Sequence, residues 1–117
     1  EKGRQFPISV ISIKVNDLLV VNESDGIAAG NELLKRTAGI LKIFRTEDVV
    51  ARIGGDRFAA IMPLADRTIG EAVLARLKAK IEEHNRHYKG DGLNLRLGLA
   101  TGEKGGSLFD LLVQAEG

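Results

Sequence analysis

The stretch that most limits what this chain can fold into runs from Val49 to Met62. One apolar run, Val49-Val50-Ala51-Arg52-Ile53, leads into Gly54, Gly55 and Asp56, and a second, Phe58-Ala59-Ala60-Ile61-Met62, follows Arg57. Two strand-forming runs around a tight, glycine-containing turn predict a β-hairpin. The paired glycines can take positive φ and admit a ligand close to the backbone, with the Asp56 carboxyl at the tip. Taken alone, these residues specify a hairpin and nothing more, because Gly-Gly-Asp is also ordinary turn chemistry.

The flanking sequence supplies the layers such a hairpin needs. Ile8-Ser9-Val10-Ile11-Ser12-Ile13-Lys14-Val15 is β-branched and dense in apolar residues, which predicts a central strand buried on both faces. Asn16 and Asp17 end it as residues able to cap a helix. Leu18 to Val21 then reads as a short helical turn, and Asn22-Glu23-Ser24-Asp25-Gly26 as a turn cluster. From Ile27, the three- and four-residue steps of Leu33, Leu34, Ala38, Leu41 and Phe44 predict a helix closed by Arg45-Thr46-Glu47-Asp48. After Pro63, Thr68 with Glu71 three residues on forms a capping-box pattern for a second long helix. Its apolar face is Ala72, Leu74, Ala75, Leu77, Ala79 and Ile81, and it is expected to fray over the polar His84–Lys89. A loop over 88–92 leads to Leu93–Ala100, which alternates with period two as a strand with one buried face. Residues 102–106 read as a loose connection, and Ser107 caps a final apolar helix over 108–115. This order predicts an α+β (α/β) fold in which a central mixed, mainly antiparallel sheet is flanked by helices, related to the ferredoxin-like arrangement.

Composition narrows the function classes. A length of 117 residues suits one domain, residues 1–117, with one moderate core. A net charge of +1 gives no field for nucleic acid or an acidic membrane surface, so neither partner is expected. With no cysteine and two histidines, disulfides are excluded and a zinc site is not expected. No apolar run approaches the ~20 residues of a membrane span, and no signal peptide is visible.

With those residues in view, Gly54-Gly55-Asp56-Arg57-Phe58 resembles the signature of the GGDEF family, the diguanylate cyclases, with Arg57 at the family's last acid. The resemblance covers about Pro7 to Glu116. The family's first segment, D-x-D-x-F-K-x-x-N-D-x-x-G-H-x-x-G-D, aligns without a gap from Lys14 to Asn31. It implies a nucleotidyl-cyclase-like fold. It also implies that the Mg²⁺ ligands of an active cyclase correspond to Lys14 and Asp56, and the phosphate-binding lysine to Leu19. Lysine cannot ligate Mg²⁺, so Mg²⁺ binding and turnover are not expected, and the positions Lys14, Asp56 and Arg57 are read as a degenerate catalytic site. Lys14 is expected to pair with Asp56 in place of the metal. Guanine recognition is half kept, with Asn22 at the base-reading asparagine and Asn31 replacing its partner aspartate.

Arg45-Thr46-Glu47-Asp48, five residues short of Gly54, matches the R-x-x-D motif at which the family binds cyclic di-GMP. Arg76, on the second long helix, stands where the family often supplies a further arginine. On the residues alone, the motif equally suits an i,i+3 ion pair at a helix end, and Arg76 a solvated helix face. The resemblance implies a cyclic di-GMP receptor that uses Arg45, Asp48 and Arg76, and it places Arg52 as a structural residue before the signature. It implies neighbouring domains of a longer parent protein as partners, homodimerisation, no cofactor, and a cytoplasmic location or the cytoplasmic part of a membrane-anchored protein. Two rivals stay open: a ligand-free dimerisation or interaction module, and a GTP-binding regulator of a linked phosphodiesterase. The family's D-x-L-T-x-L-x-N-R segment is missing ahead of Pro7 and its A-D-x-A-L-Y-x-A-K pattern is incomplete, as expected of an excised piece.

Overall fold

Alternation along one strand builds both layers of this protein. In the computed structural model, which describes residues 6–90, 92–103 and 107–117, strand β1 spans Ile8–Val15 with Lys14 as its one exposed residue. Successive side chains point to opposite faces. Ile11, Ile13 and Val15 enter a core with Leu18, Leu33, Ile40 and Leu77, while Ile8 and Val10 join Ala100, Leu111 and Ala115 on the other face. Burying each of these large aliphatic side chains contributes about 1.5–3 kcal/mol, so Ile11→Ala should cost about 2–5 kcal/mol. The expectation of a strand buried on both faces holds.

Helices α1 (Leu18–Asp25) and α2 (Ile27–Ile40) follow, then a 3-10 turn (Leu41–Ile43), the hairpin strands β2 (Val49–Arg52) and β3 (Arg57–Pro63), α3 (Arg67–His87), β4 (Leu95–Gly102) and α4 (Leu108–Glu116). The strand order is β2-β3-β1-β4, antiparallel at each pairing, which is the ferredoxin-like order with helices on both faces. Among the described residues, no helix is long and apolar enough to cross a membrane.

Several element boundaries differ from expectation for identifiable reasons. Asn22–Asp25 are helical, not a turn, and the break falls on Gly26, whose φ of 95° suits glycine. Asp17 caps nothing with its side chain and itself takes φ 66°. The α3 N-cap is Asp66, whose Oδ1 accepts from Ile69 N at 2.9 Å. Thr68 lies inside the helix, and Glu71 pairs with Arg67 rather than closing a capping box. The polar end of α3 does not fray. Asn85 holds it down by accepting from Leu93 N at 2.7 Å and donating to Leu93 O at 3.0 Å. Ser107 does cap α4, accepting from Phe109 N at 3.0 Å. Strand β4 is covered on both faces rather than one, since a Cβ on Gly98 would fall 1.7 Å from the Ala115 carbonyl oxygen of α4. The expected polar lead-in over 1–5, one loop position at 91 and most of the loose connection, 104–106, lie outside the described residues.

Candidate functional site

Residues singled out by the sequence fall into three places. The first is the signature hairpin and the strand end beside it. Arg52 wraps the turn, donating from Nε to Gly54 O at 3.2 Å and from Nη2 to Gly55 O at 2.6 Å, so its role is structural. The turn takes its shape without positive φ at Gly54 or Gly55, unlike the expectation for paired glycines. The Val15 N–H donates to Asp56 O at 2.7 Å, which ties the tip to β1.

Lys14 does not pair with Asp56: among the described residues no ion pair joins them. The register explains why. Lys14 stands opposite Arg57 on β3 and opposite Arg96 on β4, so three cations form a row across adjacent strands. All three line one cavity of about 440 Å³ under the end of α4, together with Ser12, Gln114 and Glu116. Like charges in neighbouring cross-strand positions repel. Glu116 relieves one of them, accepting from Arg57 Nη1 at 2.9 Å. Divalent Mg²⁺ needs anionic or carbonyl oxygens, and this row offers ammonium and guanidinium groups. Of the two positions that the resemblance assigns to Mg²⁺, Asp56 offers a carboxylate and Lys14 an ammonium, which cannot ligate the ion. Among the described residues, no group of three His, Asp or Glu converges to hold an ion. Arg96 and Glu116 were missed by sequence reasoning, because a register has to be known before they become neighbours of Lys14 and Arg57.

The second place lies where α1 meets α2. Asn22 lies against Gly30, where an added Cβ would meet Asn22 Oδ1 at 1.7 Å. The backbone must therefore be bare there for the Asn22 amide to sit over α2 beside the exposed Asn31. The same two helices carry exposed apolar side chains: Leu19, on α1, is 70% exposed and Ile27, on α2, 65%.

The third place holds Arg45 and Asp48. They do not end a helix: Phe44 turns extended after the 3-10 turn, and the pair occupies the turn before β2. The Asp48 side chain is 1% exposed. It accepts from Arg45 N at 2.8 Å, from Nη2 at 2.8 Å and from Nε at 3.1 Å. Arg45 Nη2 also donates to Pro63 O at 3.0 Å, fixing the guanidinium against the end of β3. Hydrogen bonding to Asp48 raises the Arg45 pKa above its ordinary value, against burial. Arg45 remains 36% exposed, so it offers a clamped, permanently charged fork to solvent. Arg76 lies on α3 in a groove with Lys42 and Ile43, and Arg45 is not among that groove's lining residues.

Comparison with known proteins gives this geometry a context. The family described as diguanylate cyclase, GGDEF domain, matches residues 1–116. The diguanylate cyclase DgcP of Pseudomonas aeruginosa is 37% identical over 76 residues, which cover 64% of this chain and 11% of that protein. The chain thus spans about a tenth of that relative's length. Among solved structures, an EAL/GGDEF domain protein from M. capsulatus superimposes with a TM-score of 0.76 at 27% identity, covering 99% of this chain and 76% of that one. The GGDEF domain of DgcB from Caulobacter crescentus, solved in complex with c-di-GMP, gives a TM-score of 0.80 over 93% of this chain and 67% of that one. At 18% identity that likeness concerns the fold alone.

Proposed function

This chain belongs to the GGDEF domain family, and from that premise we propose that it no longer makes cyclic di-GMP but binds it, at the turn of Arg45 and Asp48. The observation that carries the reading is the contrast between that turn and the row Arg57, Lys14 and Arg96. Lys14 and Arg57 set cations at two positions where the resemblance expects acids, and Arg96 adds a third beside them. The turn keeps a charged fork whose orientation is fixed by Asp48 and Pro63 before any ligand arrives. A guanidinium so held can fork onto phosphate oxygens or stack on a base. Asp48 acts first as the positioning residue for Arg45. It can accept from a guanine N1–H and N2–H pair once the turn opens.

Calorimetric titration with cyclic di-GMP and with GTP, alongside a turnover assay in Mg²⁺ and in Mn²⁺, tests the reading. Cyclic di-GMP should bind at one site without added metal. GTP should bind only weakly, and no product should accumulate above a heat-killed control. Tight, Mg²⁺-dependent GTP binding would instead favour a GTP-sensing regulator built on Asn22. A second reading draws on Leu19, Val20 and Ile27, each more than half exposed, which suit a docking surface in a domain whose fold serves interaction alone. On that reading, wild type binds neither nucleotide.

A further inference from the structure

We propose, on the reading that this turn binds cyclic di-GMP, that Glu47 rather than Asp48 supplies the carboxylate that recognises guanine while the turn is closed. Asp48 is already engaged: its side chain is 1% exposed, and both of its oxygens accept from Arg45. Glu47, the residue before it, is 61% exposed and stands 3.5 Å from Arg45 Nη1. Among the described residues no hydrogen bond engages the Glu47 carboxylate, so its lone pairs remain available beside a charge of opposite sign. In water such an exposed ion pair is itself worth little, so a base that inserts there displaces nothing costly.

Arg45 is held along one side of its guanidinium. Nε and Nη2 donate to Asp48, and Nη2 also to Pro63 O, whereas Nη1 makes no hydrogen bond among the described residues. A planar group fixed through two of its nitrogens presents the third in a set direction. The closed turn therefore offers, side by side, a donor at Nη1 and two acceptor oxygens on Glu47. Guanine carries the complementary row along one edge: the O6 acceptor, then the N1–H and N2–H₂ donors. Nη1 can donate to O6 while the carboxylate accepts from N1–H and N2–H₂. Adenine sets an N6–H₂ donor against Nη1 and an N1 lone pair against the carboxylate, so both contacts are mismatched. A site that hydrogen-bonds the donors of its ligand rejects an analogue that lacks them. Asp48 then acts on the base only through Arg45, as its positioning residue.

Calorimetric titration of the whole chain with cyclic di-GMP and with its adenine counterpart, cyclic di-AMP, tests this. Wild type should bind the guanine dinucleotide at least about thirtyfold more tightly. Glu47→Gln keeps the shape but replaces one acceptor by an N–H₂ donor that opposes guanine N2–H₂. It should weaken cyclic di-GMP about tenfold or more and change cyclic di-AMP less than about threefold, which narrows the ratio between them. Its unfolding midpoint should stay within about 2 °C of wild type, since only an exposed ion pair is lost. Asp48→Asn should weaken both dinucleotides and narrow the ratio less than Glu47→Gln does. The proposal is overturned if wild type binds the two dinucleotides alike, if Glu47→Gln keeps the wild-type ratio, or if Asp48→Asn narrows it further than Glu47→Gln. Failure of the cyclic di-GMP reading would look different: wild type would bind neither dinucleotide, or Arg45→Ala would bind both as wild type does, and the role of Glu47 would fall with it.

Discussion

The signature hairpin and the Arg45 turn lie at opposite ends of β2, and they hold their charges in opposite ways. At the hairpin, backbone-directed bonds set the shape and the charges are of one sign: Arg52 wraps the turn and Val15 ties it to β1, while the strand ends carry Lys14, Arg57 and Arg96. At the turn the charges are of opposite sign and engage each other, with Asp48 buried beneath three donors from Arg45. Backbone hydrogen bonds position whatever side chain occupies a strand end, so a fold does not by itself fix the chemistry placed there. The difference teaches where to look for function in such a chain: at charges held without a substrate, rather than at the most recognisable motif.

Four substitutions break or sharpen this contrast. Arg45→Ala should have the largest effect. Losing a charged hydrogen-bonding partner costs on the order of 2–3 kcal/mol, or ~30- to 150-fold in cyclic di-GMP affinity by calorimetry. Asp48→Asn keeps the shape but removes the charge that orients Arg45, and should weaken binding roughly tenfold while lowering the unfolding midpoint by a few degrees. Asp56→Ala should change dinucleotide affinity less than about twofold, because the hairpin tip shares no partner with the turn. A tenfold loss there would return the ligand to the signature end.

The smallest effect concerns pH. The folded-state pKa of His84 is lowered, so the unfolded chain binds the proton more readily and stability rises with pH through the histidine range. The stabilisation is therefore complete above the ordinary value of about 6.5 and is lost as pH falls below it. His84→Gln should flatten the slope of the unfolding midpoint between about pH 5.5 and 7.5. Identical slopes for variant and wild type would remove His84 as the source.

The sequence made the strong patterns legible and the marginal ones not. β1 was readable because five of its eight residues are Ile or Val and they fall on both faces, and the Ser107 cap because a hydroxyl precedes a mainly apolar run. Propensity alone favours a turn over Asn22 to Asp25, whereas these residues are helical and Asn22 packs against Gly30 of α2. Asp66 and Thr68 both suit a cap, and only the observed hydrogen bond to Ile69 separates them. The Lys14–Asp56 pair was a guess about proximity along the resemblance. The true neighbours, Arg57 and Arg96, are set by two strand registers that no local pattern encodes.

The closed turn of Arg45 and Asp48 also bears on how fast a ligand could be captured. A carboxylate 1% exposed cannot meet a base edge until its three donors release it. Association through Asp48 is then gated, and its observed rate should level off at the opening rate as ligand concentration rises. Measured affinity would equal the intrinsic affinity scaled by the open fraction, so a turn open one time in about ten would mask a tenfold stronger site. Contacts to the exposed face of Arg45 carry no such ceiling. Stopped-flow traces that stay linear in ligand concentration would mark capture by the arginine alone, and a plateau would mark the release of the aspartate.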